Sequence, residues 1–158
     1  MKCLSVPQPW AWAILHAGMD VENRTWWTEY RGPILIHASK RYDAGAADEI
    51  LGKMDLIHRA QAPNGIPGRK LLPRGGIVGQ AVLVGCVKHS DSLWFRGRRR
   101  RAGARPALAP APRRHPPRDE QPFGWLLREV EELEFIPWPG RLGLFDFPDE
   151  LVPRLRPV

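Results

Sequence analysis

The sequence predicts an α+β protein, a small and mostly antiparallel β-barrel flanked by two main helices. Three observations carry this. The apolar runs follow the order β, α, β, β, α, long β, insert, β, β. Ile77 to Val87 is apolar on both alternating faces, as a central strand of a curled sheet would be. Seven tryptophans in 158 residues agree with a pocketed barrel.

The elements follow in order. Lys2 to Val6 is β-rich, and Pro9 stands at a first helical position, with Trp10, Ala13, Ile14 and Ala17 spaced for one buried face and Gly18 as the stop. Asp20 to Tyr30 reads as extended, and Gly32-Pro33 opens a strand centred on Ile34-Leu35-Ile36. A second helix is predicted from Ala44 to Ala60, with Ile50, Leu51, Met54 and Ile57 inward and Asp43 as cap. Ala62 to Arg74 is a Gly/Pro-rich loop. Glycines 76, 79 and 85 suit bends in a barrel wall. Phe123 to Leu127 returns to strand, Glu129 to Glu134 reads as acidic and exposed, Leu142 to Phe147 as a last strand, and Asp149 to Leu155 as a short tail helix.

One domain over residues 1–158 is predicted, interrupted by an Arg/Pro-rich insert at 96–122. That segment has six prolines, nine arginines and no periodicity, a composition that cannot bury enough apolar surface to order itself. It admits three readings: a nucleic-acid-binding arm, a solvated, disordered loop, or a reading-frame error or lineage-specific insertion. The net charge of +7 less these nine arginines leaves −2, so the high isoelectric point does not by itself mark a basic groove. Cys3 and Cys86 lie in apolar runs and read as buried and reduced. With no signal pattern and no membrane-length apolar run, a soluble cytoplasmic protein with no membrane partner is expected.

Several segments recur in a recognisable order: Leu4-Ser-x-x-Gln-Pro-Trp-Ala, Asp20-Val-Glu-Asn-Arg, Arg31-Gly-Pro-x-x-Ile-His-Ala-Ser-Lys, Gly76-Ile-Val-Gly, Phe123-Gly-Trp and Gly140-Arg-Leu-Gly. Together they resemble the ASCH domain, over nearly all of the chain outside residues 96–122. The resemblance implies a PUA-like β-barrel, RNA or a modified nucleoside as partner, and a site in the cleft between the first helix and the barrel. Some ASCH-like proteins are amidohydrolases of N4-acylated cytidine, using a lysine after the first helix, a threonine three positions on and a separate glutamate. Here the lysine position falls on Met19 and the threonine position on Glu22, and the glutamate has no match.

The ligand-binding candidates are Trp10, Glu22, Arg24, Trp26 and Lys40, with Glu22 and Lys40 as the catalytic candidates. In an extended segment Glu22 and Arg24 point the same way. They could recognise a base amino group and a phosphate or carbonyl, or form a structural ion pair. Trp10 and Trp26 could stack a base or fill the core, and Lys40 follows the end of an apolar strand, where binding groups are common. His37 reads as a core histidine bonded to backbone, with general base as the alternative. No metal and no cofactor is expected, since no residues stand at ligand spacing. The functions predicted are an RNA- or modified-nucleoside-binding domain, alternatively a cofactor-free amidohydrolase or ribonuclease at the same cleft, alternatively a protein-interaction adaptor.

Overall fold

The computed structural model describes residues 1–57, 64–97 and 122–158. The expectations for residues 58–63 and for most of the Arg/Pro-rich insert, 98–121, therefore lie outside the described residues. The elements are β1 (Lys2–Gln8), α1 (Trp10–His16), β2 (Val21–Arg24), β3 (Gly32–Tyr42), α2 (Ala46–Ile57), β4 (Gly76–Val87), β5 (Phe123–Pro137), β6 (Leu144–Asp146) and a 3-10 turn at Asp149–Arg154. No helix among the described residues is long and apolar enough to cross a membrane.

The six strands form one mixed sheet in the order β2-β5-β4-β3-β1-β6. Two expectations are corrected. The sheet is open rather than closed into a barrel, ending on the four-residue β2 and the three-residue β6. Nor is the pairing uniformly antiparallel, because β1 runs parallel to β3, with Lys2 opposite Ile34 and Val6 opposite Ala38. α1 and β2 intervene between them and return the chain to the starting end, the crossover that parallel pairing requires.

The chain divides into two compact units: residues 1–19, 33–82 and 129–158 in the first, and 20–32 and 83–128 in the second. In the first unit Cys3, Leu35, Ile77, Leu133, Phe145 and Phe147 form a core, with Trp138 packed against it. Every residue from Trp10 to Ile14 is buried, so α1 has no polar face there, and Gly18 stops it at φ +65°. On α2, Ile50 and Met54 turn inward as predicted, whereas Leu51 is 41% exposed. In the second unit Val21, Trp94, Phe95, Phe123 and Trp125 are buried.

β5 is longer than its sequence suggests. The acidic run Glu129–Glu134 continues the strand because the chain's last residues pair with it: Glu134 N–H donates to the Arg156 carbonyl and Val158 N–H to the Glu132 carbonyl. Leu133 is buried while the glutamates around it face solvent. The glycines of β4 are close-approach positions rather than bends. A Cβ on Gly76 would collide with the Ile136 carbonyl and the Phe135 ring, and one on Gly79 would stand 2.7 Å from the Glu131 carbonyl.

Gly76→Ala must therefore shift backbone, not a flexible side-chain tip, and is expected to destabilise the protein by about 1–3 kcal/mol, read as a lower urea midpoint. Both cysteines are free and buried, and burial pushes the Cys3 thiol up to about 12 and the Cys86 thiol upward. Neither should react with iodoacetamide in the native protein at neutral pH, and both should be alkylated once denaturant is added, as intact mass will show.

Candidate functional site

β2 is only four residues long, so its placement depends on its partner. It pairs antiparallel with β5, setting Glu22 opposite Trp125, Asn23 opposite Gly124 and Arg24 opposite Phe123. The strand alternation then separates two jobs. Asn23 turns to one face, where its Nδ2 donates to the Trp94 carbonyl at 2.8 Å and its Oδ1 accepts from Arg96 N–H at 2.9 Å. Gly124 opposite it has no room for a side chain, since a Cβ there would lie 2.8 Å from the Phe95 ring and 2.9 Å from Val21.

Glu22 and Arg24 turn the other way and meet, with Arg24 Nε 3.1 Å from Glu22 Oε1. Glu22 is only 6% exposed. Burial raises its carboxyl above the ordinary 4.5, and the charges of Arg24 and Arg96 pull the other way. Trp26 follows immediately. Its ring stands edge-on to Trp125 with centroids 4.4 Å apart, and its carbonyl accepts the Trp125 indole N–H at 3.2 Å. Trp27 packs edge-on to Phe123, over which Lys88 lies at 5.6 Å. The Trp27 indole N–H is buried and meets no acceptor among the described residues. The second unit thus contains a desolvated carboxyl, a guanidinium, a half-buried tryptophan and an unsatisfied donor within six residues of chain. Chemically, this set can accept from an amino group, donate to a carbonyl or phosphate oxygen, and stack a planar ring.

Trp10 and Lys40 belong to the first unit. Trp10 is buried and its indole N–H donates to Asp43 Oδ2 at 3.0 Å, while α2 begins at Ala46, two residues later than the predicted Ala44. Lys40 is exposed at the end of β3, its stem running past Gly75. Met19, at the position where the amidohydrolases carry lysine, is buried, with its backbone N–H on the Ala13 carbonyl. His37 is a core histidine: Nε2 bonds the Trp138 carbonyl at 2.9 Å and Nδ1 meets Ser5 Oγ at 3.2 Å. A carbonyl only accepts, so Nε2 carries a proton and, in the neutral ring, Nδ1 accepts from the serine.

Two residues missed by sequence reasoning hold these parts in place. Gln8 is 2% exposed and uses both ends of its amide, donating to the Pro73 carbonyl and accepting the Trp12 N–H, each at 3.1 Å. Asn23 does the equivalent in the second unit. Position offers a signal for each: Gln8 lies between two prolines, and Asn23 lies between the paired charges. A groove of about 430 Å³ in the first unit is lined by Gln80, Glu129 and Glu131 among others and contains none of the five candidates. Among the described residues no three His, Cys, Asp or Glu side chains converge as a metal site requires.

The elevated Glu22 carboxyl has a stability consequence. The folded protein holds this proton more tightly than the unfolded chain, so its contribution is full below 4.5 and is lost as pH rises through the higher folded value. The stability of wild type relative to Glu22→Gln should therefore fall as pH rises above the ordinary 4.5, measured as urea midpoints at each pH. A difference constant with pH would contradict a raised carboxyl.

The family profile of the ASCH domain matches residues 4–133. The chain is also 26% identical over 89 residues to Activating signal cointegrator 1 of Homo sapiens, a match covering 56% of this chain and 15% of that protein. It thus spans a small part of that relative's length. With the profile running from β1 through most of β5, and so through the Glu22–Arg24 pair, the chain belongs to the ASCH domain family.

Proposed function

We propose that the second unit recognises a nucleobase of single-stranded RNA or of a modified nucleoside, through Glu22, Arg24 and Trp26. The observation that carries this is the desolvated Glu22–Arg24 pair, followed two residues later by a half-buried tryptophan. A purely structural ion pair at a surface strand is worth little and needs no burial. A carboxylate beside a guanidinium presents an acceptor and a donor side by side, the pattern that a base edge with an amino group next to a carbonyl complements. The unsatisfied Trp27 indole N–H supports the same reading, because a ligand oxygen would relieve it. Trp26 provides the plane for stacking. Trp10 lies in the first unit and is not part of this proposed site.

A hydrolase is the second reading, favoured by one observation. A buried carboxyl with an elevated pKa is suited to general acid–base work. Against it, Met19 is buried and can neither stabilise an oxyanion nor transfer a proton.

Binding of N4-acetylcytidine, cytidine and a short RNA, measured by calorimetry with mass-spectrometric monitoring of products, separates the readings. The binder shows saturable affinity without turnover. Trp26→Ala should weaken it by about 1–3 kcal/mol, and Glu22→Ala or Arg24→Ala should weaken it further without abolishing folding. Product that disappears in Glu22→Ala would establish the hydrolase. Neither binding nor product would leave the pair a structural element of a protein-interaction adaptor.

A further inference from the structure

The first unit gathers five cations from two distant stretches of chain. Lys40 and Arg41 lie at the end of β3, while Arg69, Lys70 and Arg74 come from the segment before β4. Specific contacts tie the two stretches together. Gly75 N–H donates to the Ala38 carbonyl at 2.6 Å, and a Cβ on Gly75 would touch the Lys40 stem at 3.4 Å. Gln8 holds the Pro73 carbonyl with its side chain and accepts Asp43 N–H with its backbone, at 3.1 and 2.7 Å. The Arg69 guanidinium sits 5.1 Å above the Tyr42 ring.

Lys40, Arg41, Arg69 and Lys70 are exposed. The acid in these two stretches is Asp43, whose Oδ2 accepts the Trp10 indole N–H. Residues 40–43 and 69–74 thus carry five cations and one acid, net +4, in a chain that is −2 outside residues 96–118. Charge is segregated by the fold, not spread evenly.

We propose that this patch is a second binding surface, which takes the phosphodiester backbone of single-stranded RNA, with Tyr42 and Arg69 offering a stacked plane to a base. The cations alone would suit any polyanion. The Tyr42–Arg69 pair selects among them, because a planar ring capped by a guanidinium is the device that single-strand binders add to a basic track. The choice of RNA rests on the proposed function, and the two can fail separately. A membrane surface is the competing polyanion, for which Leu71, 78% exposed beside Lys70, would be the insertion point.

The test compares wild type, the triple variant Arg69→Ala/Lys70→Ala/Arg74→Ala, and Tyr42→Ala in anisotropy titrations with a labelled oligouridylate of about ten nucleotides. Circular dichroism verifies that each variant is folded. With salt varied between about 50 and 200 mM, the triple variant should lose roughly tenfold or more in affinity, and its slope of log K against log salt should be shallower by about 2. The arginines of residues 96–118 are common to both proteins, so the difference in slope reports the patch. Tyr42→Ala should weaken binding and leave the slope unchanged.

RNA affinity and slope unaltered by the triple change would overturn the proposal. Free nucleoside binding that requires Glu22 and Arg24, with no RNA binding by wild type, would overturn the patch and leave the proposed function standing. Patch-dependent RNA binding without nucleoside binding would do the reverse. Binding of phosphatidylserine vesicles lost in the triple variant, with no RNA binding, would assign the surface to a membrane instead.

Discussion

The pairing of β2 with β5 is the constraint on which the candidate site depends. β2 offers only four residues, and a slip of one would exchange its faces, sending Glu22 and Arg24 to the side now held by Asn23. Asn23 and Gly124 oppose such a slip together. The asparagine amide is committed to the backbone at Trp94 and Arg96, and Gly124 leaves the space that the Phe95 ring occupies. The facing of the charged pair is thus fixed in part from the opposite face of the strand.

A comparable economy operates in the first unit, centred on the Gln8 amide. This one side chain holds the start of α1 and the segment before β4, while its backbone carbonyl holds Asp43. Trp10, the end of β3 and the cations before β4 are consequently positioned by the same short stretch. The Gln-Pro-Trp run therefore reads as framework, with Trp10 consumed in a hydrogen bond to Asp43 rather than presented to solvent.

The two proposed recognition chemistries, hydrogen bonding and stacking at β2 and exposed charge at the end of β3, draw on residues of separate units. They respond differently to conditions. Buried pairs are little screened by salt, whereas exposed cations meeting phosphates lose affinity steeply as salt rises.

Much of this was legible in the sequence. The proline and glycine bounding α1, the strand of Ile77 to Val87, the shared face of Glu22 and Arg24 and the buried cysteines all follow from local rules: ring constraints, the two-residue strand period and the apolar run. The family, too, could be read from short motifs in order. What the tertiary structure decided depends on partners distant in the chain. The parallel sense of β1 and β3, the open sheet and the continuation of β5 through its glutamates depend on which backbone groups are available to pair, and local propensity carries no information on that. The displaced pKa of Glu22 and the basic patch have the same origin. Their surroundings are set through space, by the packing that desolvates Glu22 against the pull of Arg24 and Arg96 and by the approach of Arg74 to the Lys40 carbonyl, which sequence separation hides.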